Sequence, residues 1–165
     1  MFSLRGGVEH RSLKVSQLKR TTIPDQYTYY ENVSKTCNGS FKQLHVKSKV
    51  VPVFACPEAG EKCPVHILDL YLSKLRKEGT QDVFYLRPLE SIPLDPSLPW
   101  YASVPVGRDT LHKKMSTMCK QAGVQGHKTN HSLRATSAMR MYEKNIPEKI
   151  IQERTGHRFL GVFCL

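Results

Sequence analysis

The chain has 165 residues, with 25 Lys and Arg against 14 Asp and Glu, and a formal net charge of +11. A hydrophobic fraction of 39% and a charged fraction of 24% are typical of an ordinary folded domain, which excludes an intrinsically disordered chain. No apolar run approaches the ~20 residues that span a bilayer, so a membrane-spanning helix is not expected. No basic-then-apolar signal pattern opens the chain, so the sequence gives no support for secretion.

The positive charge is concentrated in two segments. Residues 1–50 carry nine cationic side chains against three acids, and residues 107–165 carry eleven against four, whereas residues 51–106 have a net charge of −2. Clustered charge is typical of a surface that binds phosphates. The alternative is that both segments form solvated helix faces without a ligand.

The first third of the chain predicts a small antiparallel sheet. Residues 8–19 have helical spacing of apolar side chains, and the aromatic and β-branched residues of 23–33 favour extended chain. An Asn-Gly pair at 38–39 predicts a turn, and strands are predicted over residues 41–46 and 49–54.

The middle of the chain predicts two helices separated by a loop. Apolar residues at helical intervals predict an amphipathic helix over residues 63–77 that ends at Gly79. Residues 83–86 predict a short strand, and four prolines between 88 and 99 predict a loop. A second helix is predicted over residues 109–122, with an inner face made of Leu111, Met115 and Met118.

A further helix is predicted to begin in the sequence His127 to Phe159. Thr129 or Asn130 can cap it. His131 and Arg134 lie three residues apart, so they share a face at the end of the helix where the dipole favours an anion. The apolar stripe of this helix is predicted to consist of Ala135, Ala138, Met139 and Tyr142.

The sequence Asn145-Ile146-Pro147 breaks that helix and begins another, since Pro is tolerated in a first turn. Ile150 and Ile151 are predicted to be its buried residues, and Gly156 its end. His157 follows on the exit turn. The stretch therefore places three side chains suited to phosphate binding on two consecutive helices: His131, Arg134 and His157.

His-x-x-Arg with a later Gly-His resembles the second half of the active site of tyrosine recombinases, the phage-integrase family. The string TNHSLRAT…IPEKIIQERTGHR resembles one branch most, the recombinase-like domain of crypton transposons and of MYM-type zinc-finger proteins. Landmarks at residues 30–35, 84–88 and 105–107 extend the resemblance over nearly the whole chain. It implies an α+β, mostly helical fold, with helices around a small antiparallel sheet, and one partial catalytic domain over residues 1–165.

The resemblance also implies the roles of five site residues. Arg5 and Arg134 correspond to the two arginines that clamp the phosphate, and Lys35 corresponds to the hairpin lysine. His131 corresponds to the phosphate donor or proton shuttle, and His157 to the final phosphate-binding histidine. Leu4-Arg5-Gly6-Gly7 resembles the first-arginine box, although Val8 stands where the family has an acid. Lys42, Lys47 and Lys49 are alternatives to Lys35. Arginine suits the clamps because its planar fork stays charged and donates two parallel hydrogen bonds.

The family's nucleophile is a tyrosine that follows the Gly-His, and no tyrosine follows His157 in this sequence. Tyr142 is interpreted as a core residue, and nothing beside Cys164 would lower the pKa of its thiol. We therefore expect a phosphate-binding site without a nucleophile and an inactive enzyme. The family's chemistry uses no metal, so neither metal nor cofactor is expected.

Five cysteines without a disulfide rhythm favour a reduced, intracellular protein. Cys56, Cys63 and His66 have a short spacing that zinc could use, but a fourth ligand at a matching spacing is missing. Buried free thiols are the simpler expectation.

Three functions follow from these observations. The first is a nuclear domain that binds duplex DNA and forms oligomers only when DNA assembles them. The second is an active strand transferase completed by a tyrosine from a downstream segment or another protomer. The third is a domesticated module that binds chromatin-associated proteins through the acidic, proline-rich residues 83–105.

Overall fold

The computed structural model describes residue 4 and residues 8–31, 48–76 and 81–155. This part of the chain is α+β, as predicted, and has more residues in helices than in strands. Its elements in chain order are α1 (Val8–Arg11), β1 (Leu18–Thr22), β2 (Asp25–Tyr30), β3 (Val50–Phe54), α2 (Pro64–Ser73), β4 (Leu86–Pro88), β5 (Tyr101–Pro105), α3 (Arg108–Gln121), α4 (Asn130–Glu143) and α5 (Glu148–Thr155).

The predicted antiparallel sheet is present as β1, β2 and β3, with β2 in the centre. Tyr29 lies opposite Leu18 on one side and Val51 on the other. All three side chains are buried, and together with Leu13 and Val53 they form part of one apolar core. The predicted strand over residues 41–46 and the Asn-Gly turn lie outside the described residues.

The helix predicted over residues 8–19 is wrong beyond Arg11. The chain instead makes a 3₁₀ turn over Val15–Gln17 and enters β1 at Leu18. Side chains replace the helical partners of the backbone here. Ser16 donates its backbone N–H and its hydroxyl to the Asp82 carboxylate, at 3.0 and 2.6 Å, and the Lys14 N–H donates to Gln17 Oε1 at 2.8 Å.

The helix predicted over residues 63–77 exists as α2, but it is shorter. It begins at Pro64 and ends at Ser73, and Val65 and Leu68 are its buried residues. Trp100 packs where α2 ends. Its backbone N–H donates to the Lys74 carbonyl at 3.0 Å, and Lys74 Nζ lies 4.9 Å from the centre of the indole ring. The predicted end at Gly79 lies outside the described residues.

The loop predicted between residues 88 and 99 is confirmed, and it connects two paired strands. β4 pairs antiparallel with β5, which the sequence did not predict. Of residues 83–86, predicted as a short strand, only Leu86 lies in β4, and the chain bends at Asp82 and Phe84. The Phe84 N–H donates to the Leu13 carbonyl at 2.9 Å, and the Val106 N–H donates to the Tyr85 carbonyl at 2.9 Å. This segment therefore joins the N-terminal part of the chain to β5.

α3 confirms the predicted helix over residues 109–122 within one residue at each end. Its predicted inner face is only partly correct: Leu111 and Met115 are half-buried, whereas Met118 is exposed. No residue of α3 is fully buried, because Leu111 borders a cavity instead of a packed wall. Among the residues described, no helix is long and apolar enough to cross a membrane.

A polar network joins the sheet to α2. Tyr27 Oη donates to Asp69 Oδ1 at 2.6 Å, and the Arg20 guanidinium donates to both Asp69 carboxylate oxygens at 3.2 and 3.3 Å. Burial raises the pKa of Asp69, but the bonds from Tyr27 and Arg20 outweigh it and hold that pKa below its usual value. The ionised carboxylate therefore stabilises the folded state.

We expect Asp69→Asn to lower the free energy of unfolding by about 1 kcal/mol at pH 7, because it removes a charged acceptor at a partly exposed site. Since the folded-state pKa lies below the unfolded value, the contribution is present above about pH 4 and is lost as pH falls through the folded-state pKa. Urea unfolding at pH 7, 5 and 3 should show the two proteins converging at the lowest pH. A difference that stays constant with pH would contradict this, and exposed Glu153→Gln is the control.

Candidate functional site

The site is built on the first turns of α4. Thr129, in extended conformation, is the N-cap, and its N–H donates to Ser132 Oγ at 3.1 Å. Of the two predicted caps, Thr129 therefore fills the position and Asn130 is the first helical residue. His131 lies in the first turn with an exposed side chain, and Arg134 lies one turn later and is buried.

Arg134 joins α4 to α5. Its side chain is 4% exposed, and Nε donates to the Thr155 carbonyl at 2.7 Å. Thr155 is itself 1% exposed, and its hydroxyl donates to the Ile151 carbonyl at 2.6 Å. The guanidinium therefore satisfies a carbonyl in the last turn of α5, one of the groups that a helix leaves without an internal partner. His131 and Arg134 have different environments: one side chain faces solvent and the other is in the interior.

The apolar stripe predicted for α4 is wrong at three of its four positions. Ala138 is buried, whereas Ala135, Met139 and Tyr142 are exposed. The buried face is centred on Arg134 and Ala138, which shifts it by one residue, about 100° of helix rotation, from the predicted one. Because a stripe is drawn through apolar residues, it could not place an arginine at the centre of the buried face.

The turn between α4 and α5 confirms the predicted break. Asn145 adopts a left-handed φ of 55°, its N–H donates to the Tyr142 carbonyl at 2.9 Å, and the Ile146 N–H donates to the Met141 carbonyl at 3.0 Å. This pair of bonds is a Schellman ending. Pro147 immediately precedes α5 and accepts bonds from the Ile150 and Ile151 N–H groups, at 2.9 and 3.1 Å.

α5 also contacts the central sheet. Arg154 donates through Nη2 to the Pro52 carbonyl at 3.1 Å in β3. Its neighbour Ile151 is buried, but Ile150, also predicted to be buried, is half exposed. α5 is therefore held from two sides, by Arg134 of α4 and by β3. Gly156 and Arg158 lie outside the described residues.

The beginning of the chain packs near α4. Leu4 is buried and lines a cavity of about 680 Å³ that Asn130 and Arg134 also line. The resemblance predicts that residues from both ends of the chain come together in one site. Leu4, in the first-arginine box, is the described residue with which this prediction can be compared. Its neighbour Arg5 lies outside the described residues, as do four other predicted site residues and alternatives: Lys35, Lys42, Lys47 and His157.

Lys49 is the one candidate lysine that the structure describes. It is buried just before β3, with Nζ 5.8 Å from the centre of the Tyr29 ring. Its backbone N–H donates to Glu31 Oε2 at 3.0 Å. Lys49 therefore packs against the sheet, and it does not line the cavity that Arg134 borders.

Two cationic or titratable residues of the cavity wall, His10 and Lys114, were not predicted as site residues. The His10 ring stacks on Tyr85 with centroids 5.9 Å apart. Burial lowers the pKa of His10, against smaller raising effects of the Glu9 carboxylate and a bond to the Leu4 backbone, which favours the neutral imidazole. Neither residue belongs to a motif, and only the packing of α3 and the N-terminal segment places them beside Arg134.

The cysteines are described at three positions, and all three are free thiols: Cys56, Cys63 and Cys119. Cys63 is buried, and its Sγ accepts the Cys56 N–H at 3.3 Å. Within the described part of the chain, no three His, Cys, Asp or Glu side chains are grouped so that they could hold a metal ion.

One family model matches the chain, over residues 1–120, and it is described as a domain of unknown function, DUF3504. The match includes the sheet, α2, the β4–β5 pair and nearly all of α3. No curated protein and no solved structure matches the chain.

The two isoleucines of α5 provide a matched test of its packing. Ile151 is 1% exposed and Ile150 is 50% exposed. We expect Ile151→Ala to cost about 2–5 kcal/mol of unfolding free energy, because it leaves a cavity between α5 and its neighbours. Ile150→Ala should change it by less than about 1 kcal/mol. Chemical denaturation of both variants measures this, and equal losses would contradict the register of α5.

Arg134 is expected to be indispensable for stability. Arg134→Met should lower the free energy of unfolding by about 3 kcal/mol, since a buried carbonyl loses its charged donor. Arg134→Lys should not restore it, because lysine lacks the Nε–H and the planar fork. Exposed Arg140→Lys on the same helix is the control and should stay within about 0.5 kcal/mol. An Arg134→Lys variant as stable as the parent protein would contradict the role of the Arg134–Thr155 bond.

Proposed function

We propose that this chain, which belongs to the DUF3504 family, is a nuclear DNA-binding domain of the tyrosine-recombinase type. The observation that carries the proposal is the Arg134 Nε bond to the Thr155 carbonyl at 2.7 Å. It fixes α4, which bears the His-x-x-Arg motif, against α5, the helix that precedes the Gly-His motif in the sequence. In the proposal, duplex DNA is the partner, and assembly into oligomers depends on DNA.

The first turn of α4 supplies the surface of the proposed site. His131 is exposed there, next to a half-buried Asn130 and two residues after the N-cap. N–H groups at a helix N-terminus and the positive end of its dipole attract an anion. The surrounding residues 107–165 have a net charge of +7, so the approach of a polyanion is favoured over a longer range.

Each predicted site residue keeps its role in the proposal. His131 donates to a phosphate oxygen from the surface, and Arg134 is the second clamp at the junction of α4 and α5. Arg5, Lys35 and His157 complete the site by the resemblance. The packing of Leu4 on the cavity that Arg134 lines supports the approach of the first-arginine box to α4.

The proposal covers DNA binding and not strand cleavage. Attack on phosphorus needs a phenolate or an activated hydroxyl. Burial raises the pKa of Tyr71 to about 12 and also raises the pKa values of Tyr27 and Tyr29. These three tyrosines are therefore poor nucleophiles at neutral pH, and they serve the core of the fold.

The test is the salt dependence of duplex binding, measured by fluorescence anisotropy between 50 and 300 mM salt, roughly the range in which counterion release is readily resolved. We expect log affinity to fall against log salt with a slope of about −3 or steeper, since several phosphates release counterions. A slope near zero would overturn the proposal.

His131→Ala should weaken duplex binding about fivefold, because one hydrogen bond to phosphate is lost. His66→Ala is the matched control, since His66 is an exposed histidine on α2 and not on α3 or α4. Both variants should unfold like the parent protein. Equal weakening by the two substitutions would show that DNA is attracted by the general positive charge, and it would contradict a site at His131.

A further inference from the structure

The cavity beside Arg134 has the size of a ligand site. Its volume of about 680 Å³ lies within the roughly 300–1,000 Å³ of small-molecule pockets. Residues of α2, β5, α3 and α4 line it, as do the residues before β4 and Leu4. The cavity is partly open to solvent, and a mostly apolar recess of this size can hold a ligand.

One wall of the cavity is apolar and rigid. Aliphatic and aromatic side chains from the N-terminal half of the chain form it, including Leu13, Leu68, Tyr71, Phe84 and Tyr101. The Tyr71 ring lies 5.0 Å, centre to centre, from both the Phe84 and the Tyr101 rings. Tyr71 donates its hydroxyl to the Phe84 carbonyl. The wall thus presents ring surface, and the hydroxyl of Tyr71 already has an acceptor.

The side of the cavity formed by α3 and α4 adds polar groups to Leu111 and Leu133, and its charges have one sign. Five polar residues of α3 and α4 lie there: Thr110, Lys114, Asn130, Arg134 and Ser137. Lys114 and Arg134 are cationic, and none of the described residues that line the cavity is an aspartate or a glutamate. An anionic group on this wall would therefore meet attraction from two helices and no like charge from a lining carboxylate.

We propose that this cavity binds a small amphipathic anion, a molecule with an apolar body and one carboxylate. The body lies against the wall of Tyr71 and Phe84, and the carboxylate lies near Lys114 on α3 and Arg134 on α4. Two cationic side chains in a lining that is otherwise mostly apolar carry this assignment, because they match the two ends of such a ligand. Arg134 is shared with the proposed DNA site, and the two proposals are tested separately because binding of the small anion is measured without DNA.

Decanoate, decanol and decyltrimethylammonium are suitable probes, because they share one chain and differ in the charge of the head group. Isothermal titration calorimetry of the full chain without DNA, below the concentration at which each probe forms micelles, should detect decanoate binding. Decanol should bind at least about tenfold more weakly, as expected for the loss of a charge-assisted hydrogen bond, and the cation should not bind. Equal affinities for the three probes, or no decanoate binding, would overturn the proposal.

Two adjacent lysines of α3 make a matched pair of variants. Lys114 lines the cavity, whereas exposed Lys113 does not. Lys114→Gln should weaken decanoate binding about tenfold, and Lys113→Gln should leave it within twofold. Circular dichroism checks that both variants fold. Equal effects of the two substitutions would show attraction to the general positive charge and would overturn the assignment.

A third variant fills the space itself. Leu133 borders the cavity from α4 and is partly exposed, so Leu133→Trp can place a large ring in it. Decanoate binding should fall below detection while duplex DNA affinity stays within about twofold, which separates this proposal from the proposed function. Sedimentation that shows a stable dimer of the parent chain, together with no decanoate binding, would instead assign the cavity to a second copy and overturn the proposal.

Discussion

The architecture of the candidate site depends on one hydrogen bond, from Arg134 Nε to the Thr155 carbonyl. A guanidinium is costly to remove from water, so a buried arginine needs a well-oriented acceptor. The Thr155 carbonyl is such an acceptor because the last turn of a helix has carbonyls without helical donors. This bond joins α4 to α5, and it gives a partner to both the Arg134 guanidinium and the Thr155 carbonyl, which would otherwise be costly to bury. The Schellman turn at Asn145 sets the angle at which they meet.

The sequence predicted elements well where the signal was local. The N-cap at Thr129, the break at Asn145 and the bounds of α3 depend on neighbouring residues, and the structure confirms them. The α+β class and the strands β2 and β3 follow from the same kind of pattern, whereas β1 begins inside the helix predicted over residues 8–19. The predicted site residues came from the resemblance to tyrosine recombinases. Of these, Arg5, Lys35 and His157 lie outside the described residues.

The failures came from contacts between distant residues. β5 is a strand because β4 is available to pair with it, and residues 8–19 leave the helix because Ser16 meets Asp82, 66 positions later. The buried face of α4 is centred on Arg134 because its acceptor lies on α5. None of these partners can be seen in a window of a few residues, so amphipathic periodicity assigned the polar side chains to solvent.

The bond between Arg154 and Pro52 joins positions 102 residues apart in the chain. During synthesis at roughly 5–20 residues per second, about 5–20 seconds separate the appearance of β3 from that of α5. In that interval the outer strand lacks the helix that will contact it, and its apolar residues depend on the early sheet alone. The contact that closes α5 onto β3 therefore forms only after most of the chain has been made.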